Sequence, residues 1–142
     1  MKSGLHKQFK TNTTAETGGL PVRFEPNADG TVPTFMVARM GGANQPAFSK
    51  AHAEVWALHK EDAALNQVSA ELETELGQKA FIRGCLRGWS NVQEEDGTPI
   101  PFSEPAALNL FKELPDIYHT LHARSLSLSA YLAINTEVAA KN

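Results

Sequence analysis

Two periodicities divide the chain. From Leu20 to Met40 the pattern is that of strands: Val22 and Phe24 alternate with Arg23 and Glu25, and Val32 to Met40 is rich in β-branched and apolar residues. Side chains that alternate in this way put one face of a strand against a core. Pro26-Asn27-Ala28-Asp29-Gly30 supplies turn chemistry between the two runs, which predicts a β-hairpin over 20–40 that Gly41-Gly42 ends. Pro33 lacks an amide donor near the start of the second strand, which suits a small or edge pair better than the middle of a large sheet.

Past Gly42 the spacing becomes helical. Asn44 is placed to cap a first helix that carries Pro46 early, where a missing N–H costs little, and Phe48, Ala51, Val55 and Leu58 follow at helical spacing. Leu65, Val68, Leu72, Leu76, Phe81, Ile82, Cys85, Leu86 and Trp89 form a second stripe, which predicts a helix from about 63 to 89 closed by Trp89. Gly77, Gly84 and Gly88 each weaken it by about 1 kcal/mol relative to alanine, so a kink or a close helix contact is expected there.

Asp96-Gly97 followed by Thr98-Pro99 makes residues 93–99 a loop. Ser103 is the N-cap of a helix with Leu108, Leu110 and Phe111. That helix stops near Leu114, because Pro115 opposes its continuation and suits the first turn of a last helix, which carries Ile117, Leu121, Leu128, Tyr131 and Leu132. The fold class is therefore mainly α: a helical domain of about four helices with a small N-terminal β-hairpin, α+β at the margin. Residues 1–19 have only Leu5 and Phe9 as large apolar side chains and read as a mobile polar leader, while 20–142 reads as a single mainly helical domain with its hairpin at 20–40.

Charge changes the picture little. Sixteen acidic against thirteen basic residues give a net charge of -3, which argues against a nucleic-acid surface. No apolar run follows the basic N-terminus, and no stretch approaches the roughly 20 apolar residues of a membrane span, so no membrane partner is expected. The single Cys85 fits a reducing cytoplasm.

Candidate chemistry is sparse. His119 and His122 share one side of a helix but lack a third ligand in any metal-binding pattern. Cys85 lies on the apolar stripe and reads as a packed thiol, and Ser125, Ser127 and Ser129 as small contacts between helices. Glu94-Glu95-Asp96 reads as a solvated loop, and the glycine doublets match no phosphate cradle. No catalytic constellation stands out, so the expectation is a non-enzyme with no cofactor and no metal. Trp89, Phe102, Phe111 and Tyr131 remain as large groups near element ends, either closers of the core or anchors for a partner.

One ordered set of residues goes further. Leu86-Arg87-Gly88-Trp89-Ser90-Asn91-Val92, Asp96-Gly97, Pro99-Ile100-Pro101-Phe102-Ser103-Glu104-Pro105, Leu114-Pro115-Asp116 and the final Ala140-Lys141-Asn142, with Arg39 to Asn44, Phe48 and Lys50 more loosely, resemble the tail assembly chaperones of long-tailed bacteriophages and prophages. The resemblance covers Phe81 to Asn142. It implies a small helical factor, without ATP, that binds the tape measure protein and keeps it soluble in the host cytoplasm until the tail tube polymerises, and that is absent from the mature virion. It implies Trp89, Phe102 and Phe111, with Tyr131, as partner-binding residues, and leaves self-association open. It also implies a longer form, made by ribosomal slippage near Lys141 and Asn142, that recruits the tail tube protein. The rival expectation is a structural tail or head-completion subunit that stays in the virion.

Overall fold

A computed structural model describes residues 3–136. In chain order it contains α1 (Gly4–Phe9), α2 (Thr13–Gly18), β1 (Leu20–Arg23), β2 (Thr34–Val37), a 3-10 turn (Gly42–Asn44), α3 (Gln45–Ala57), α4 (Lys60–Ala64), α5 (Ala70–Gly84), β3 (Leu86–Ser90), α6 (Glu104–Glu113), α7 (Pro115–Ser125) and α8 (Leu128–Tyr131). The chain is mainly α with one small antiparallel sheet, as the periodicities predict. Local signals act where expected: Pro46 lies in the first turn of α3, Ser103 Oγ accepts from the Ala106 N–H at 3.1 Å, and Pro115 opens α7.

The predicted hairpin forms, with Leu20 opposite Val37 and Val22 opposite Phe35, but it has a third member. The sheet order is β1-β2-β3, and Trp89 of β3 lies opposite Phe35. The helix expected over 63–89 is thus corrected at both ends. Ala63 and Ala64 end the separate α4, residues 65–69 are not helical, and α5 begins only after Ser69, whose Oγ accepts from the Leu72 N–H at 3.1 Å.

At the other end α5 stops at Gly84, where a Cβ would lie 2.9 Å from Cδ2 of Phe48 in α3. Glycine there lets the two helices touch, which is the close contact expected among the three glycines. Cys85 O then accepts from the Ala38 N–H at 2.7 Å, so the chain leaves the helix directly into the sheet. Gly88 has φ +150°, a conformation that side-chain-bearing residues rarely adopt, and Trp89 belongs to a strand rather than to the last turn of a helix.

The last predicted helix is also two pieces. Ser125 ends α7, its buried Oγ donating to His122 O at 2.6 Å while its carbonyl accepts from the Met40 N–H at 2.9 Å. The chain then turns through Leu126 and Ser127 before α8. Residues 133–136 are helical, and Ala133 N–H donates to Lys10 O at 2.8 Å.

The stretch read as a polar leader carries α1 and α2. Asn12 caps α2 through the Ala15 N–H at 3.1 Å, donates its own N–H to Tyr131 O at 2.9 Å, and donates Nδ2 to Thr136 Oγ1 at 3.1 Å. Counting apolar side chains does not register such polar ties. The main core joins Val22, Phe35 and Val37 of the hairpin to Phe81, Ile82, Cys85 and Leu86, and to Leu110, Phe111 and Leu121.

Candidate interaction surface

Trp89 and Phe102 come together at the surface. Residues 93–99 fold back on themselves, with Glu94 N–H donating to Thr98 O at 2.8 Å and Ile100 N–H donating to Val92 O at 2.8 Å. Asp96 holds the tip: its carboxylate accepts from the Thr98 N–H at 2.9 Å, and hydrogen bonds from Thr98 keep its pKa below the usual carboxylate value. This hairpin brings Ile100 O to 2.7 Å from Trp89 Nε1, which donates to it.

The half-buried Trp89 ring meets Phe35 on its inner side, centroids 5.6 Å apart, and Phe102 on its outer side at 5.1 Å, both edge to face. Phe102 is 38% exposed. An open cavity of about 320 Å3 beside this pair is lined by both rings, Ile100, Asn91, Gln93 and Asp29. It is an apolar ledge with a few amide and carboxylate groups, suited to another protein's side chain.

The other two candidate residues are corrected by their burial. Phe111 has no exposed surface; its ring packs against those of Phe81 and Tyr118, at 6.4 and 5.3 Å. The apolar face of α6 turns inward onto α5, so Phe111 closes the core. Tyr131 is likewise fully covered, and its hydroxyl donates to Val37 O at 2.7 Å. Burial raises its pKa well above the ordinary phenol value. Neither ring can reach a partner without unfolding. Lys141 and Asn142 lie outside the described residues.

Titratable side chains serve packing as well. Cys85 is fully buried and desolvation pushes its thiol up to about 12, the opposite of what a thiolate nucleophile needs. His122 stacks on Tyr118 with centroids 5.5 Å apart and meets Phe81 at 6.0 Å, while His119 packs beside Tyr118. Among the described residues no group of three or more His, Cys, Asp or Glu is arranged to hold a metal ion.

Burial lowers the His122 pKa below its usual 6.5, with His119 adding repulsion. The folded state therefore binds this proton less readily than the unfolded chain. The stability that His122 contributes is complete above 6.5 and is lost as pH falls from there through the lowered folded value. Melting temperature followed against pH is expected to fall as pH drops below 6.5, and the His122→Phe variant is expected to show a shallower fall; an unchanged slope would place the acid sensitivity elsewhere.

Sequence reasoning missed a buried polar network. Glu16, nearly without exposed surface, accepts from Arg39 Nη1 and from Thr11 Oγ1 at 2.9 Å, and Glu16 O accepts from the Arg39 N–H at 2.9 Å. Asn44, also buried, donates Nδ2 to both Arg39 O and Gly84 O at 2.8 Å. Its Oδ1 accepts from Arg87 Nη2 at 2.7 Å, and Arg87 Nε donates to Thr17 O at 2.9 Å. The network knits α2, the end of β2, the end of α5 and β3 together. Among the described residues no buried side-chain polar atom lacks a partner. The order from Arg39 to Asn44 is the one sequence signal that touched it.

No curated protein and no solved structure matches the chain. Residues 43–142 match the model of a family described as YdaY prophage protein. That span takes in α3 to α8, β3 and the Trp89–Phe102 ledge, most of the chain, and the protein accordingly belongs to the YdaY prophage protein family.

Proposed function

We propose that this prophage protein is a non-enzymatic tail assembly chaperone that binds the tape measure protein in the host cytoplasm and keeps it soluble until the tail tube polymerises. The observation that carries the reading is the Trp89–Phe102 ledge, an apolar surface within the stretch that resembles such chaperones. A long, partly apolar helical chain aggregates when uncovered, and a surface aromatic beside an open cavity suits weak, repeated binding of such a chain. The buried, hard-to-ionise Cys85 supports a role without catalysis. Among the described residues no helix is long and apolar enough to cross a membrane.

The test is co-expression with the tape measure protein of the same prophage. Wild-type protein is expected to bring it into the soluble fraction, and Phe102→Ser to reduce the soluble yield several-fold while the melting temperature moves little. A wild type that fails to solubilise the tape measure sinks the reading; an unaffected yield with Phe102→Ser moves the contact elsewhere. Absence from purified virions is expected, whereas stoichiometric presence would favour a structural tail or head-completion subunit. Expression with native downstream DNA, followed by peptide mass spectrometry across Lys141 and Asn142, tests for the extended form that would recruit the tail tube protein.

A further inference from the structure

Two surfaces of this chain are complementary to each other and far from equally charged. Around α1 the chain is basic: His6, Lys7 and Lys10 surround it, and no acidic residue precedes Glu16 in the sequence. Leu5 and Phe9, spaced i, i+4 and therefore on one face, are 68% and 58% exposed. They take no part in the cleft that α1 forms with Ala133 and Ile134, which is lined by Ser3, Gly4, His6, Lys7 and Lys10 from the α1 side. A short amphipathic helix thus presents two large apolar groups with His6 and Lys10 beside them.

The second surface is a groove of about 340 Å3 between the 93–99 hairpin and the end of α6. Its floor is Ile100, Leu110 and Leu114, the last 49% exposed, and its rim is Glu94, Glu95 and Glu113. No cation lines it, and among the described residues none of the three glutamates belongs to an ion pair. An apolar floor with unneutralised carboxylates on its rim fits an amphipathic helix with apolar anchors and basic flanks.

We propose that the Leu5–Phe9 face of α1 in one copy docks in the Ile100–Leu114 groove of a second copy, with Lys10, which lies beside Leu5 and Phe9, meeting the Glu94, Glu95 and Glu113 rim. The contact is heterologous: each copy offers one helix and one groove, and the two are different surfaces. Leu5 and Phe9 lose water against the groove floor, and the rim carboxylates gain a cation where they have none. A helix of six residues covers little area, so the contact belongs to the weak class below about 1,200 Å2, dependent on concentration and weakened by salt. The inference stands apart from the tape measure reading and does not need it.

Sedimentation equilibrium decides it. The weight-average mass of the wild type is expected to rise with concentration and to drop back towards the monomer when salt is added. Leu5→Ser with Phe9→Ser disables the helix, and Glu94→Lys with Glu95→Lys and Glu113→Lys disables the groove; each variant alone is expected to stay monomeric. Mixed in equal amounts, the two retain one working interface between them, and a dimer without larger species is expected.

Leu114→Glu serves as a second groove variant should the triple substitution unfold, with a circular dichroism melt as the check. A wild type that stays monomeric overturns the proposal and leaves the groove to a basic helix of another protein. Association that survives in either variant, or a mixture that stays monomeric, overturns it as well.

Discussion

Phe111→Ala is expected to lower the unfolding free energy by about 3–5 kcal/mol, the range for emptying a buried aromatic site. The ring has no exposed surface, packs against Phe81 and Tyr118, and is part of the cluster that joins α5, α6 and α7 to the sheet. Small domains have only about 5–15 kcal/mol in total, so this single change removes a large share. Urea unfolding measures it, with Phe102→Ala as the paired control: the exposed ring should cost about 1 kcal/mol. Equal costs for the two would contradict the packing, because one ring sits inside and the other on the surface.

The second large effect is expected at Arg39. Its guanidinium pairs with Glu16, whose side chain is 2% exposed, while that of Arg39 is 21% exposed. Arg39→Ala leaves a buried carboxylate with Thr11 Oγ1 as its remaining side-chain donor, and removing one partner of a buried pair costs about 3–5 kcal/mol. The partial exposure of Arg39 puts the expectation near the lower end. Adding Glu16→Gln to Arg39→Ala should recover part of the loss, because the stranded charge is then gone. A double-mutant cycle by urea unfolding reads that coupling, and strict additivity would count against the pair.

Room to relax is scarce. A Cβ at Gly42 would fall 1.9 Å from Glu16 Oε2, and Gly42 itself has φ +53°. The carboxylate therefore occupies space that only glycine at position 42 leaves free.

Much of the fold is legible in the chain because local rules and packing agree. Pro26 to Gly30 marks the turn of the hairpin, Ser103 caps α6 with its own oxygen, and Pro115 separates α6 from α7. The region around Trp89 misleads for a physical reason. Phe81, Ile82, Cys85, Leu86 and Trp89 are spaced as on a helix, yet Leu86 to Ser90 is a strand. Both geometries bury Leu86, so apolar spacing alone does not choose between them; the Phe48–Gly84 contact and the backbone of Gly88 do.

The candidate surface was half legible. Which of the large aromatics near element ends face outward depends on how α6 and α8 roll against the core. That roll buries Phe111 and Tyr131 and leaves Phe102 in part exposed. The Glu16–Arg39 pair was invisible because its members are 23 positions apart in segments of different kinds.

Likeness to the YdaY family begins at residue 43, just past β2. Yet β3, inside the matched span, finds its strand neighbour in β2, outside it, and the hydroxyl of Tyr131 rests on Val37 O while Asn44 rests on Arg39 O. The matched segment thus leans on a strut outside the match. A relative that shares only this segment must supply another backbone in that place, or leave a strand and a buried hydroxyl without partners. The boundary of the match and the boundary of folding fall at different points on this chain.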